Sequence, residues 1–257
     1  MSATRPVSFV RSSPDDTSDF FGNKNRWRLY TRPPHDPAPD GHAADVGWEC
    51  ISPFGSVRSV VVVDDDGQPV FDRPEYREAP NVNVVAYGIE NDGTVKMAVI
   101  TQPRPHADDP RLEPGEPCDP VVFGQIVMGF NTRKLFGDDV VDQFETPEEA
   151  ACRETGEESG AQVILGIERP SCPWHNPNPT FVATWSDLLF VQVDLKALDA
   201  IKSERGEPIY QAEFIDVPTL LKRIAAGIGP NGEYYRMCTA NSAWFVFFCY
   251  HPELFMA

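Results

Sequence analysis

Three glutamates, Glu154, Glu157 and Glu158, are spaced so that a helix would bring their carboxylates together. Positions i, i+3 and i+4 lie on one face of an α-helix. Like charges held that close repel one another, and a divalent cation removes the repulsion. Oxygen-only ligands suit Mg²⁺, with Mn²⁺ as an alternative. Such an ion can activate water and neutralise charge on a leaving phosphate. The segment therefore predicts a metal site for phosphate chemistry.

A helix with clear start and stop signals must carry these glutamates. Thr146 can cap its first turn, Pro147 suits the first helical position, and Glu149 completes a capping box. Gly160 is a typical residue for the helix end. We expect the helix to run from Pro147 to about Ser159. An acidic helix exposed to solvent is the alternative interpretation of the Glu-rich stretch.

The rest of the chain alternates strand and helix patterns. Residues 1–45, rich in Pro, Asp, Ser and Gly, predict an extended arm. Apolar runs bounded by turn residues predict strands at 57–63, 82–89, 95–101, 121–128, 162–168 and 185–193. Asp92-Gly93 is typical of a hairpin between the second and third of these. Helices are predicted at 217–226 and 240–250. This order predicts an α/β layered fold.

The segment from Glu145 to Gly160 resembles the Nudix box, G-x5-E-x7-R-E-U-x-E-E-x-G-U, where U is aliphatic. The matching residues are Glu145, Arg153, Glu154, Glu157, Glu158 and Gly160. The resemblance implies an α/β/α sandwich with a mixed sheet, formed by residues 81–257, with an arm and β extension at 1–80. It also implies that the three glutamates hold Mg²⁺, that Arg153 orients a box carboxylate, and that Glu145 is an accessory ligand.

Three positions depart from the box. Asp139 stands where its glycine is expected, and Gly129, which ends a predicted strand, is the better candidate. Residues 130–144 would then contain an insertion of about ten residues. Thr155 replaces the aliphatic residue, and Gly156 weakens the helix by roughly 1 kcal/mol relative to alanine. These changes leave the metal ligands intact, and we group Gly129 with the metal site.

Upstream of the box, Gln102 and Arg104 lie in a strand and turn that resemble those of ADP-ribose pyrophosphatases. By that resemblance both residues bind substrate, and the planar fork of Arg104 suits a phosphate. A surface arginine after a strand is an equally good interpretation. Trp174, in a proline-rich loop, is a candidate for stacking on a base or ring, although a packing role is slightly favoured.

Downstream of the box, the acidic loop at 203–208 resembles a mobile loop that supplies the general base in the same subfamily. Glu207 lies just before the next strand and is the first candidate, and Glu204 is the second. A loop carboxylate can move towards bound substrate and orient or deprotonate water. Two acidic residues in an exposed loop are more often simply solvated.

The composition of the chain limits the classes of partner, metal site and compartment that we expect. The net charge of −17 argues against nucleic acid or anionic membranes as partners. None of the six cysteines forms a C-x-x-C pair, which disfavours structural zinc and a zinc-bearing NADH pyrophosphatase. The polar start of the chain does not resemble a signal peptide, so we expect a cytoplasmic protein. The strands at 57–100 resemble a dimerising extension, so we expect a homodimer.

The sequence thus predicts a Mg²⁺-dependent enzyme that hydrolyses a diphosphate bond in a nucleoside diphosphate derivative. ADP-ribose, cleaved to AMP and ribose 5-phosphate, is the best single substrate. The alternative is a Nudix-fold module that binds nucleotides or regulates and has lost turnover. Turnover of ADP-ribose with Mg²⁺ discriminates between the two.

Overall fold

The computed structural model describes residues 28–31, 46–52, 55–63, 69–104, 119–131, 133–136, 139–175, 185–201 and 208–255. The chain forms two compact units. The first comprises Met1–Pro80 and Asn176–Trp185, and the second comprises Asn81–His175 and Ser186–Ala257. All the candidate site residues that the structure describes belong to the second unit.

The first unit contains a four-stranded antiparallel sheet in the order β1-β2-β3-β4. Its strands are β1 (Arg28–Thr31), β2 (Val46–Ser52), β3 (Gly55–Val63) and β4 (Pro69–Glu78). The β-branched run at 57–63 predicted β3, whereas β1, β2 and β4 were not predicted. β4 contains two prolines, which is tolerated because it lies at the edge of this sheet.

The second unit is built on an eight-stranded mixed sheet with the main order β11-β13-β5-β6-β14. β13 runs parallel to β5, and the other pairs are antiparallel. The strands are β5 (Asn81–Ile89), β6 (Val95–Arg104), β7 (Val121–Gln125), β8 (Val127–Phe130), β11 (Ile164–Glu168), β12 (Trp174–His175), β13 (Ser186–Val193) and β14 (Gln211–Asp216).

The sheet forks between β5 and β6. The two strands pair only near their hairpin, from Tyr87↔Met97 to Ile89↔Val95. The predicted turn is present, with Gly93 at a φ of 88° and its N–H donating to the carbonyl of Glu90. Beyond the fork, β7 pairs with β6 and β8 pairs with β5. A single strand was predicted at 121–128. The structure divides it at Ile126 into β7 and β8, which pair with β6 and β5 respectively.

Both faces of this sheet are buried. In β5, Val84 and Ala86 pack in one apolar cluster, and the alternate residues Val85 and Tyr87 pack in another. Successive side chains of a strand point to opposite faces, so the two clusters lie on opposite sides. The alanines of α1 belong to the first cluster, and side chains of α2 and α3 belong to the second. The unit is therefore an α/β/α sandwich, as predicted.

The helices are α1 (Pro147–Ser159), α2 (Val217–Ala226) and α3 (Cys238–Tyr250), followed by a 3-10 turn (Pro252–Leu254). The side chain of Thr146 caps α1 and the expected capping box is formed, and Gly160 ends the helix with a φ of 76°. Gly227 ends α2 in the same conformation. α1 and α2 have the predicted bounds, and α3 begins two residues earlier than expected.

The polar stretch between β8 and α1 contains two short strands that were not predicted. β9 (Arg133–Phe136) and β10 (Asp139–Phe144) pair with each other as a separate antiparallel ribbon. The position at which the box glycine was first sought, Asp139, begins β10. Within the described part of the chain, no helix combines the length and the hydropathy needed to cross a membrane.

Candidate functional site

α1 brings the three box glutamates against the sheet. Glu154 is 9% exposed and Glu158 is 4% exposed, whereas Glu157 is more open, with 31% of its side chain accessible. Carboxylates are seldom buried unless they are paired. The burial of two charged residues on a helix face therefore rules out the simple acidic surface helix that was the alternative interpretation.

Arg153 lies among the box carboxylates. Its Nε and Nη2 donate to the two oxygens of Glu145 at 2.9 and 3.0 Å. Its Nη1 lies 2.9 Å from Oε1 of Glu154 and donates to Oε2 of Glu157, also at 2.9 Å. Nη2 also donates to the backbone carbonyl of Phe130 at 2.9 Å. One arginine thus connects three of the four box carboxylates to the strand that faces them.

These contacts fix the charge of Arg153. Burial by itself would lower the pKa of this guanidinium, but the hydrogen bonds that it donates to Glu145 and the negative charges of Glu154 and Glu145 raise its pKa above the ordinary value. Bidentate pairing of a guanidinium with a carboxylate also restricts the geometry. Arg153 is therefore a permanent cation that balances part of the negative charge of the cluster.

Gly129 in β8 makes room for Glu154. A Cβ atom at this position would lie 1.8 Å from Oε1 of Glu154 and 1.9 Å from its Cδ. No side chain other than hydrogen fits there unless the carboxylate moves. The sequence prediction that this glycine, and not Asp139, accompanies the box therefore has a steric basis.

The neighbouring backbone of β8 holds another glutamate. The N–H of Met128 donates to Oε2 of Glu158 at 3.0 Å. Asn131, one residue after β8, donates through Nδ2 to the backbone carbonyl of Glu145 at 3.2 Å. Neither Met128 nor Asn131 was a candidate from the sequence, since a backbone donor leaves no sequence signal and the asparagine lies in a polar stretch.

The carboxylates are arranged around an arginine and not around an open metal position. Within the residues that the structure describes, no three Asp, Glu, His or Cys side chains form a group able to hold a metal ion directly. The ligand roles of Glu145, Glu154, Glu157 and Glu158 therefore remain predictions. A cation bound here would share the carboxylates of Glu145, Glu154 and Glu157 with Arg153.

Arg104 and Gln102 lie at the end of β6, on the sheet face that α1 covers. In β6, Ala98 and Ile100 pack in the same cluster as the alanines of α1, and Gln102 and Arg104 continue that alternation. Arg104 is partly exposed, whereas Gln102 is 1% exposed. The position of Arg104 suits its predicted contact with substrate.

Gln125 links these two residues. Its Oε1 accepts a hydrogen bond of 3.1 Å from Nε of Arg104, and its Nε2 donates to Oε1 of Gln102 at 2.6 Å. The side chain of Gln125 is completely buried. It was not a candidate from the sequence, although a glutamine inside an apolar strand is a signal that could have identified it.

The remaining candidates have less structural support. Glu204 and Glu207 lie outside the described residues. Trp174 is placed in β12, which pairs with the start of β13, but its side chain lies outside the described part. The base and stacking roles therefore remain predictions.

Comparison with known proteins adds little to this description. No protein-family model matches the chain, and no curated protein matches it. Solved structures do match, among them the crystal structure of an ADP compounds hydrolase. That match has a TM-score of 0.46 and 15% sequence identity, and it covers 79% of this chain and 90% of the other. A similarity of this size carries no inference about activity.

Proposed function

We propose that this chain is a Nudix-type hydrolase that cleaves a diphosphate bond in a nucleoside diphosphate derivative. The observation that carries the proposal is the position of the Glu154 carboxylate. Its carboxylate occupies space that only a glycine at 129 leaves open, while Arg153 joins it to Glu145 and Glu157. A helix selected only for solubility has no need of this fit between a buried carboxylate and a strand glycine.

The donor set suits Mg²⁺, with Mn²⁺ as a second candidate. Glu154, Glu157 and Glu158 would hold the ion, with Glu145 as an accessory ligand, and all four offer the hard oxygen atoms that these ions prefer. The absence of a side chain at Gly129 leaves room for the carboxylate of Glu154. The bound ion would supply charge neutralisation at the diphosphate and an activated water.

Arg153 then has a defined task. It carries a fixed positive charge and donates to Glu145 and Glu157 at once, so it holds the carboxylates close together in the absence of a cation. When carboxylate oxygens turn towards a cation, the bond to the carbonyl of Phe130 keeps the guanidinium at the strand. Arg153 would therefore orient the ligands throughout turnover.

Substrate phosphate would meet Arg104. Gln125, which holds Arg104, precedes Gly129 by four residues, so the two positions are separated by at most about 14 Å of extended chain. Gln125 and Gly129 both lie on the sheet face covered by α1. A diphosphate bound between Arg104 and α1 would contact both the guanidinium of Arg104 and the carboxylate cluster. Trp174 is the proposed stacking residue for the base or ring.

The loop at 203–208 would supply the base, with Glu207 favoured slightly over Glu204. A carboxylate placed there would orient or deprotonate the attacking water. ADP-ribose is the proposed best substrate, giving AMP and ribose 5-phosphate. We also propose that the protein acts in the cytoplasm as a homodimer.

A substrate panel tests the proposal. Nucleoside diphosphate sugars, dinucleoside polyphosphates and nucleoside triphosphates are incubated with Mg²⁺, and the products are identified by chromatography. We expect cleavage within a diphosphate, with ADP-ribose the best substrate and no turnover in excess chelator. Absence of cleavage across the whole panel, or turnover that persists in chelator, would contradict the proposal.

The second candidate function is a nucleotide-binding or regulatory module without turnover. The engagement of Glu145, Glu154 and Glu157 by Arg153 favours it, because a cation must compete with that arginine. Thr155 also departs from the box, and Gly156 weakens the same helix. Tight binding of ADP-ribose with no product after prolonged incubation with Mg²⁺ would favour this candidate over the enzyme.

A further inference from the structure

Two buried glutamines form a chain that ends on Arg104. Gln125 is 0% exposed and lies in β7, and Gln102 is 1% exposed and lies in the paired strand β6. Burial of an amide costs free energy unless its polar atoms are hydrogen-bonded. The bonds of 3.1 Å and 2.6 Å join the three side chains in the order Arg104, Gln125, Gln102. The chain thus places two amide side chains in the buried interior, beside the apolar residues of β6.

The direction of these bonds follows from Arg104. A guanidinium has only donors, so Gln125 must turn its oxygen to Arg104. Its amide nitrogen then faces Gln102, which must present an oxygen. Reversing the amide of Gln125 would set a donor against Nε and break both bonds. The arginine therefore determines the orientation of both glutamines, and they in turn restrict the rotation of its guanidinium.

We infer that Gln125 is a positioning residue, which holds Arg104 in the orientation that receives a phosphate of the substrate, and that Gln102 supports Gln125. The identity of the substrate in this inference rests on the proposed function, whereas the positioning of Arg104 by Gln125 does not rest on it. A carboxamide suits this task because it accepts the Nε–H bond without neutralising the guanidinium. A carboxylate in its place would hold the arginine and reduce its attraction for an anion.

NMR spectra of the arginine Nε–H groups in ¹⁵N-labelled protein test whether Gln125 positions Arg104, and they require no turnover. The Arg104 resonance is assigned by its loss in Arg104→Lys. We expect it to be visible in the wild type because the bond to buried Gln125 slows exchange with water. Gln125→Met keeps the size of the side chain and removes the acceptor, so the resonance should disappear. Gln192→Met, at a half-buried glutamine of β13, is the matched control and should leave it unchanged.

Inorganic pyrophosphate, titrated in the presence of chelator, tests the link to the ligand. We expect it to shift the Arg104 resonance in the wild type and in Gln192→Met. In Gln125→Met its binding, followed by calorimetry, should weaken about tenfold, because a hydrogen bond to a charged group is lost. Gln125→Glu should keep the resonance and also weaken binding. With ADP-ribose and saturating Mg²⁺, Gln125→Met should raise KM by more than it lowers kcat.

Persistence of the Arg104 resonance in Gln125→Met would overturn the inference. So would unchanged pyrophosphate affinity in both Gln125 variants. If Gln125→Met does not fold, Gln125→Glu decides the matter, since undiminished affinity there means that the neutral amide has no role. A wild-type protein that cleaves no member of the substrate panel refutes the proposed function, whereas the resonance and pyrophosphate results still decide the role of Gln125.

Discussion

Gly129→Ala is the sharpest single test of the site geometry. The new Cβ would lie 1.8, 1.9 and 2.5 Å from three side-chain atoms of Glu154, all far below the 3.4 Å at which ordinary contacts begin. The carboxylate must therefore retreat by roughly 1.5 Å, in a core that is too closely packed to absorb such a change freely. Glu154 is buried and paired with Arg153 at 2.9 Å, so its retreat breaks that pair.

Two quantities should change together in Gly129→Ala. Overpacking of this kind costs about 1–3 kcal/mol of folding free energy, which urea denaturation measures. Displacement of Glu154, a proposed metal ligand, by more than 1 Å should lower kcat/KM for ADP-ribose about 100-fold. The φ of Gly129 is not in the left-handed region, so the alanine backbone itself is not strained. The effects therefore report on the contact with Glu154.

Gly166→Ala is the matched control. Gly166 also lies in a strand, β11, but a Cβ atom there meets nothing within 4 Å. We expect unchanged activity and a change in stability of less than about 0.5 kcal/mol. If Gly129→Ala behaves like this control in both measurements, the close approach of Glu154 to β8 is wrong and so is the alignment of Gly129 with the box.

Four further predictions concern the same helix, the acidic loop and assembly. Thr155→Val should raise the free energy of unfolding by about 1 kcal/mol in urea denaturation, because the hydroxyl of Thr155 is completely buried and has no hydrogen-bond partner among the described residues. A loss of stability would show that the hydroxyl is satisfied. Glu157→Gln and Glu158→Gln should lower kcat by orders of magnitude while circular dichroism remains unchanged, and near-normal turnover in both would remove them from the metal site. Glu207→Gln should lower kcat about 100-fold or more with little change in KM. Glu204→Gln should have this effect only if Glu204 is the base instead. A normal kcat in both variants would show that the base lies elsewhere. Light scattering at micromolar concentration should give twice the chain mass of 28.6 kDa, and the mass of a single chain would refute the homodimer.

The box helix could be predicted closely because its signals are local. Thr146 specifies the start through its hydrogen bond with the N–H of Glu149, Pro147 fits the first turn, and Gly160 ends the helix in a left-handed conformation. The apolar runs at 82–89, 95–101 and 185–193, which are bounded by turn residues, likewise predicted β5, β6 and β13. The fold class followed from these two kinds of local pattern.

Long-range contacts could not be predicted in the same way. The Gln125 chain depends on the pairing of β6 with β7, and its residues are separated by more than twenty positions in sequence. The position of Arg153 among three carboxylates depends on the packing of α1 against β8, which brings the carbonyl of Phe130 within reach. The strands β9 and β10 lie in a polar stretch without regular alternation, and therefore gave no period to detect.

Hydrolysis of ADP-ribose in ¹⁸O-labelled water tests the central claim most directly. The wild type and Glu158→Gln are incubated with Mg²⁺ or with chelator, and the masses of the products are measured by mass spectrometry. We expect AMP and ribose 5-phosphate, with a single ¹⁸O atom in the phosphate of one of them, in the wild type with Mg²⁺ only. Intact ADP-ribose after prolonged incubation of the wild type with Mg²⁺, or equal turnover by Glu158→Gln, would contradict the assignment of the box as a hydrolytic metal centre.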